Sequence, residues 1–296
     1  LVLAGMNKLS PLVVLLAVLA FGCGENLQTQ APASPFGPPS DLKAVSLSQS
    51  SVRIHWSAAS GSTDSLFRGY SVQVGNRRDT LSKSVVSFVA DQLPVGEALF
   101  SVYSLRTDGI RSEAATIRWA PAARFDSAFN VFENNTLTSC RPEGFNVGTA
   151  TTNPSVMVID PLSQTVQQTM DFYFNGGTPQ VRQPLSVWSA NLFIGSFNRT
   201  KFSTETDSSG SLDYPLVVFP AENTFTKDSV SVVDNTIYYA KVIGDPQQVN
   251  YARIHLRLKP GTVFPNRVVE VRVSLQRAPG LLYAHHRFSF FNHNQS

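Results

Sequence analysis

The chain has 296 residues, of which 42% are hydrophobic, 10% aromatic and 15% charged, with a formal net charge of +3. That length holds one large domain or two ordinary ones, each with its own core. The low charge and the lack of any run of Lys and Arg exclude a nucleic-acid groove and an electrostatic membrane patch, which need clustered cations. Phe, Val, Ser and Thr are abundant while Met is scarce, a composition that suits strands better than helices.

The first elements in chain order form a leader. Met6-Asn7-Lys8 is a short positive segment, Leu12 to Ala20 is an apolar run, and Ala20-Phe21-Gly22-Cys23 follows. This is the layout of an export signal. The run is shorter than the about 20 residues needed to span a ~30 Å hydrocarbon layer. Ala20-Phe21-Gly22-Cys23 resembles the lipobox of bacterial lipoproteins, with Ala20 where Leu is commonest and the bulky Phe21 after it. The resemblance implies that residues 1–22 are a signal peptide and that Cys23 becomes the acylated N-terminus, carrying palmitate-type chains. Several chains would anchor it firmly, since one alone binds only marginally. Gly24 in place of Asp directs the expectation to the outer membrane of a Gram-negative envelope. Cys140 is then left without a disulfide partner and is expected to be a buried small apolar residue.

Residues 23–37 are rich in Pro and small polar side chains and read as a flexible tether behind the lipidated Cys23. From residue 38 to 120 short strands follow one another. Val52, Ile54 and Trp56 alternate with Arg53 and His55, and Tyr70, Val72 and Val74 alternate with Ser71 and Gln73. Val85 to Val89, Phe100 to Leu105 and Ala115 to Trp119 continue the series. About seven such strands separated by turn residues predict a β-sandwich. Pro38-Pro39-Ser40-Asp41-Leu42, Val52 to Trp56, Gly69-Tyr70-Ser71-Val72 and Phe100 to Leu105 are similar to a fibronectin type III domain. The resemblance implies an immunoglobulin-like fold with Trp56 as its central core aromatic. Phe100 stands at the family's corner tyrosine, so the ring is expected to pack without the hydroxyl-to-backbone hydrogen bond, at a cost of order 1 kcal/mol.

Pro121-Ala122-Ala123 marks a boundary, and residues 124–296 read as a second, larger β-rich domain that folds separately. Val156 to Ile159, Asp171 to Phe174 and Tyr238 to Val242 are short strands. Ala252, Ile254, Leu256 and Leu258 alternate with Arg253, His255, Arg257 and Lys259, and Val269 to Leu275 alternate in the same way. Each is expected to bury one face and wet the other, and the two are expected to pair as antiparallel neighbours. Residues 175–179 and 207–211 are expected loops. The fold class is therefore all-β throughout.

No catalytic motif is present: there is no Gly-x-Ser-x-Gly elbow, phosphate-cradling loop with Lys, or His-Glu-x-x-His. The expectation is a non-catalytic binding or scaffold module without a cofactor, held to the membrane by lipid and meeting an envelope protein or glycan. Asp171 to Phe174, Thr236 to Val242 and Tyr251 to Ile254 also carry a similarity to haemophore lipoproteins of the HmuY type. That resemblance implies a ligand-capturing alternative, and His255 and His286 would be the residues to replace in testing it. No axial pair matches by residue, and His285 and His286 point to opposite faces of a strand. His285 and His293 share a face but stand about 26 Å apart at ~3.3 Å per residue. Trp188, Tyr214 and the Phe288–Phe291 tail are the aromatics suspected of forming a binding surface, with loops Gly176–Pro184 and Thr204–Tyr214 displaying it.

Overall fold

Alternation of apolar and polar residues builds the first sandwich. In the computed structural model, which describes residues 36–134, 141–159, 163–178, 181–194, 198–216, 218–244 and 248–283, seven strands appear before Pro121. They are β1 (Ser40–Ser48), β2 (Ser51–Ser57), β3 (Phe67–Val74), β4 (Arg77–Ser82), β5 (Ser87–Ala90), β6 (Ala98–Arg106) and β7 (Ala115–Trp119). They form a three-stranded sheet, β1-β2-β5, and a four-stranded sheet, β4-β3-β6-β7. This is the sandwich that the alternation and the fibronectin type III resemblance imply. Val52, Ile54 and Trp56 of β2 enter the core with Tyr70, Val72, Phe100 and Val102, and Trp56 meets Tyr70 edge-on at 5.4 Å. Phe100 is fully buried. Strand β4, Arg77 to Ser82, was not foreseen because its residues are nearly all polar and its face is exposed.

Two details adjust the boundaries. Phe36 is buried edge-on against Phe67 at 5.2 Å, and Ser104 Oγ donates to the Gly37 carbonyl at 2.7 Å. The sandwich thus begins two residues before Pro38, inside the segment read as tether. Gly69 sits at φ +147° where β3 slips register, and a Cβ there would collide with the Leu81 carbonyl oxygen.

The second part of the chain supplies β8 (Ala123–Asn134), β9 (Pro142–Asn146), β10 (Ser155–Val158), helix α1 (Gln164–Thr169), β11 (Phe172–Thr178), β12 (Val181–Ser189), β13 (Arg199–Asp207), β14 (Phe225–Lys227), β15 (Ser229–Ser231), β16 (Thr236–Ile243), β17 (Val249–Leu258) and β18 (Val268–Gln276). Among the described residues they join in the order β10-β9-β11-β8-β18-β17-β16-β13-β14, with β12 on β11 and β15 on β12. Strand β8 serves both halves: it pairs antiparallel with β18, and its end pairs parallel with β11 at Phe174 and Glu133. The sheet therefore closes over a core in which Ala240, Ile254, Val271 and Val273 face Phe145, Phe172, Phe174 and Val187. Phe145 stacks on Phe172 at 5.0 Å. The expected β17–β18 pair is antiparallel, with Ile254 opposite Val273 and Leu256 opposite Val271.

Three expectations for this region are corrected. The second face of β17 and β18 is wet only at one end: Arg253, His255, Ser274 and Gln276 are buried, while Arg257 is exposed and Glu270 and Arg272 are half-buried. The segment between β13 and β14 and the first sandwich lie over the buried part. Asn175 to Thr178 belong to β11 rather than a loop, because they continue its hairpin with β12. In the expected display segment Thr204–Tyr214 the residues to Asp207 continue β13 and Leu212 is buried, with Arg253 donating to the carbonyls of Leu212 and Tyr214, both at 3.3 Å, while Ser208, Ser209, Asp213 and Tyr214 are exposed.

The junction between the sandwiches is covered rather than open. Ala120, Pro121, Ala122 and Ala123 are all buried. Ser46 Oγ accepts from Trp119 Nε1 at 2.9 Å and from the Ala122 amide at 3.0 Å. Ala44 and Leu216 exchange backbone hydrogen bonds at 2.8 Å, and the Ala120 amide donates to the Tyr283 carbonyl at 2.8 Å. Phe219 stacks on Tyr283 at 4.7 Å and Trp119 meets Tyr283 edge-on at 6.0 Å. One apolar cluster accordingly runs from Trp56 and Phe100 to Tyr239, Tyr251 and Tyr283. The described residues form a single compact unit.

Candidate functional site

At one end of the second sandwich lies a cleft of about 220 Å³, where the end of β9, the end of α1, the start of β11, Asn198 before β13, the end of β16 and the start of β17 converge. Among the described residues its polar lining is amides, hydroxyls and one carboxyl, chiefly Asn146, Thr149, Asp171, Asn198, Gln248 and Asn250. Local folding places each of them. Asn146 ends β9, and its Oδ1 accepts from the Gly148 amide at 2.7 Å while its Nδ2 donates to the Thr169 carbonyl at the end of α1. Ser163 caps α1 by accepting from the Val166 amide, as a short helix with orphan donors requires. Thr149 Oγ1 and Thr152 Oγ1 lie 2.9 Å apart and close the loop after Gly148.

Asp171 is the buried centre of this end. Its two carboxyl oxygens accept from the Val147 amide at 2.6 Å and from Asn198 Nδ2 at 2.8 Å. Burial pushes its pKa up to about 7, although both hydrogen bonds favour the charged form. Asn250 at the start of β17 is 3% exposed, and its Oδ1 has no hydrogen-bond partner. Among the described lining residues there is no Lys, Arg, His or aromatic ring, and amides and hydroxyls predominate.

A second buried carboxyl lies nearby in the same strand as Asn146. Glu143 is buried, its Oε1 has no hydrogen-bond partner, and burial raises its pKa to about 7 against the pull of Arg141. Glu133 is different: fully buried, it binds Arg267 through two charge-assisted hydrogen bonds at 2.8 and 2.7 Å. Gly176 leaves the room for that pair, since a Cβ there would strike both side chains.

The residues singled out from sequence fare unevenly. Cys23, Cys140, His285, His286, His293 and Phe288–Phe291 lie outside the described residues. His255 is buried, with Nε2 3.0 Å from Asn235 Oδ1, and burial lowers its pKa. It does not open on the cleft. Trp188 is half-buried against Tyr173 at 6.4 Å, so it belongs to a small core rather than a surface. Tyr214 is exposed. Asn146, Asn198 and Asn250 were missed because each is a single amide in a separate segment, and no spacing announces that they meet. Among the described residues no group of three His, Cys, Asp or Glu is placed to hold a metal.

No family model matches the chain, and no curated protein matches it. Among solved structures, the chain is similar to the FN5 domain of Drosophila Lar, with 25% identity, covering 29% of this chain and 96% of that one at a TM-score of 0.22.

Proposed function

We propose that the chain is an exported, lipid-anchored, non-catalytic binding protein of the cell envelope, whose second sandwich holds a small uncharged polar ligand in the cleft. The gathering of Asn146, Thr149, Asn198, Gln248 and Asn250 from separate segments around one cleft carries this reading. The fused sandwiches suit a binding body held off the membrane by the segment behind Cys23, which the lipobox resemblance assigns as the acylated residue. The described lining residues include no His, Cys, Met, Tyr or Lys to ligate a haem iron.

Two measurements test this. Labelled palmitate is expected to enter the wild type and not Cys23→Ser; equal labelling of both would reject the anchor. Protein purified from its own envelope and then denatured is expected to release a small polar compound detectable by mass spectrometry. Asn250→Leu is expected to release none. The same release from both proteins would reject the cleft as the site.

A further inference from the structure

We propose that strand β5 is a docking edge for an extended acidic segment of a partner protein, which pairs with it as a further strand and sets carboxylates beside Arg53 and His55. The inference concerns the first sandwich and is independent of the cleft. It rests on an open strand edge and on the charges of the adjoining sheet face.

The β1-β2-β5 sheet has two edges. At β1 the edge is met by Leu216, which exchanges backbone hydrogen bonds with Ala44. At β5 it is open. The Trp56 amide donates to the Val86 carbonyl, so in the β2–β5 register Val86, Phe88 and Ala90 turn their backbone groups toward β2. Ser87 and Val89, in alternation with them, turn both N–H and C=O outward. Among the described residues nothing pairs with these four groups. Edge strands are ordinarily guarded by charge or proline. The edge of the facing sheet, β4, carries Arg77, Arg78 and Asp79. Strand β5 reads Ser-Phe-Val-Ala, with Val86 41% and Val89 37% exposed.

The outer face sets the chemistry of the partner. Arg53 stands directly opposite Val89, and His55 opposite Ser87, in the closer kind of cross-strand pair. Lys43 stands opposite His55 on β1. Among the described residues none of the three forms an ion pair. The carboxylates at the two ends of this face are engaged elsewhere, Asp41 accepting from Ser57 and Asp91 from Ser51. Burial and then the Arg53 charge lower the His55 pKa, the mark of a cation close by without a counter-charge. A strand added at β5 lies about 10 Å from β2, two strand spacings, a span that Arg53 and a glutamate cover between them across Val89. Its residues opposite Ser87 and Val89 share the outer face. The residue between them falls beside Phe88, whose ring has the Arg77 guanidinium 5.6 Å away. The matching segment is therefore acidic, apolar, acidic. A second copy of β5 would bring another Arg53 and His55 to the same face, like charge to like. The ends of this chain do not match either: residues 1–35 hold one carboxylate, Glu25, and residues 284–296 none.

The test is a nuclear magnetic resonance titration of the isotope-labelled full chain, following the backbone amides of Ser87 and Val89. The probes are short peptides capped at both ends: one alternating Glu and Val, one alternating Lys and Val, and the Glu-Val peptide N-methylated at its glutamates, which removes the donors that would pair with β5. The Glu-Val peptide is expected to give saturable shifts at both amides, and to bind at least tenfold more tightly than the Lys-Val peptide or the methylated one. Arg53→Glu, on the solvent side of β2, is expected to reverse the preference between the two charged peptides. Arg53→Gln, the milder change, is expected to weaken Glu-Val binding several-fold with the remaining spectrum unchanged. Equal affinity of the wild type for the two charged peptides, binding of the methylated peptide as tight as that of its parent, or no shift with any probe overturns the proposal. Concentration-dependent broadening at Ser87 and Val89 without peptide also overturns it, because a second copy would then hold the edge.

Discussion

Single side chains in this protein differ in what their removal would leave behind. Trp56 fills the centre of the first sandwich at 4% exposure, but its indole N–H has no hydrogen-bond partner. Trp56→Ala is therefore expected to cost ~3–5 kcal/mol in chemical denaturation of the full chain. Trp56→Phe is expected to cost clearly less, because it removes an unsatisfied donor together with some volume. Equal losses for the two would mean that the indole nitrogen is satisfied in solution. Ser46 behaves in the opposite sense, since its one oxygen accepts from both Trp119 Nε1 and the Ala122 amide. Ser46→Ala deletes few atoms yet orphans two buried donors, at about 1–3 kcal/mol each. Its midpoint in urea is expected to fall by more than that of a conservative core truncation; an unchanged midpoint would count against the buried junction.

At the scale of elements, the parallel contact between β8 and β11 depends on a glycine. Gly176 passes the Glu133–Arg267 pair so closely that any Cβ displaces it, and Glu133 has no route to solvent. Breaking a buried ion pair costs about 3–5 kcal/mol because the remaining charge stays uncompensated. Gly176→Ala is thus expected to destabilise by that order, whereas Gly75→Ala, with open space around it, is expected to cost less despite its positive φ. Comparable losses at both sites would remove the ion pair from the explanation. The alternation that predicted β17 and β18 located their shared core face correctly, since Ile254 and Val273 meet there. It misjudged part of the opposite face, where Arg253 and His255 are buried, and was right for the exposed Arg257. The cover over Arg253 comes from Leu212 and Tyr214, about forty residues away, and alternation within a strand carries no information about what lies above it.

For the whole molecule, burial of the junction bears on how the chain comes apart. Separate domains would be cut between Pro121 and Arg124, but that backbone is buried and hydrogen-bonded across both sandwiches. Limited proteolysis is therefore expected to leave one protected fragment spanning the junction; two stable fragments cut there would show that the sandwiches separate in solution. The buried carboxyls set the response to pH. Asp171 and Glu143 have ordinary values of 3.8 and 4.5 and are both raised to about 7 in the folded chain. The folded state then holds protons that the unfolded state has lost, so stability is fully present below about pH 4 and declines as pH rises through 7. For Asp171 the loss is of the order of a few kcal/mol. Thermal denaturation between pH 4 and pH 8 is expected to show this decline in the wild type and a flatter profile in Asp171→Asn. A wild-type profile rising with pH across that window would reverse the sign of the argument.

What the sequence determined by itself is whatever local pattern can carry: all-β structure, the seven-strand sandwich from Val52-Ile54-Trp56 onward, and the pairing of β17 with β18. These follow from side-chain alternation and turn residues, which act over a few positions. Tertiary structure decided the rest. It brought Asn146, Asn198 and Asn250 to one cleft around Asp171, and it covered Arg253 and Ser274. It also drew Tyr239, Tyr251 and Tyr283 into the apolar cluster of the first sandwich. Each depends on contacts between segments far apart in the chain, and an isolated amide or tyrosine has the same local signature whether it faces water, a core or a ligand.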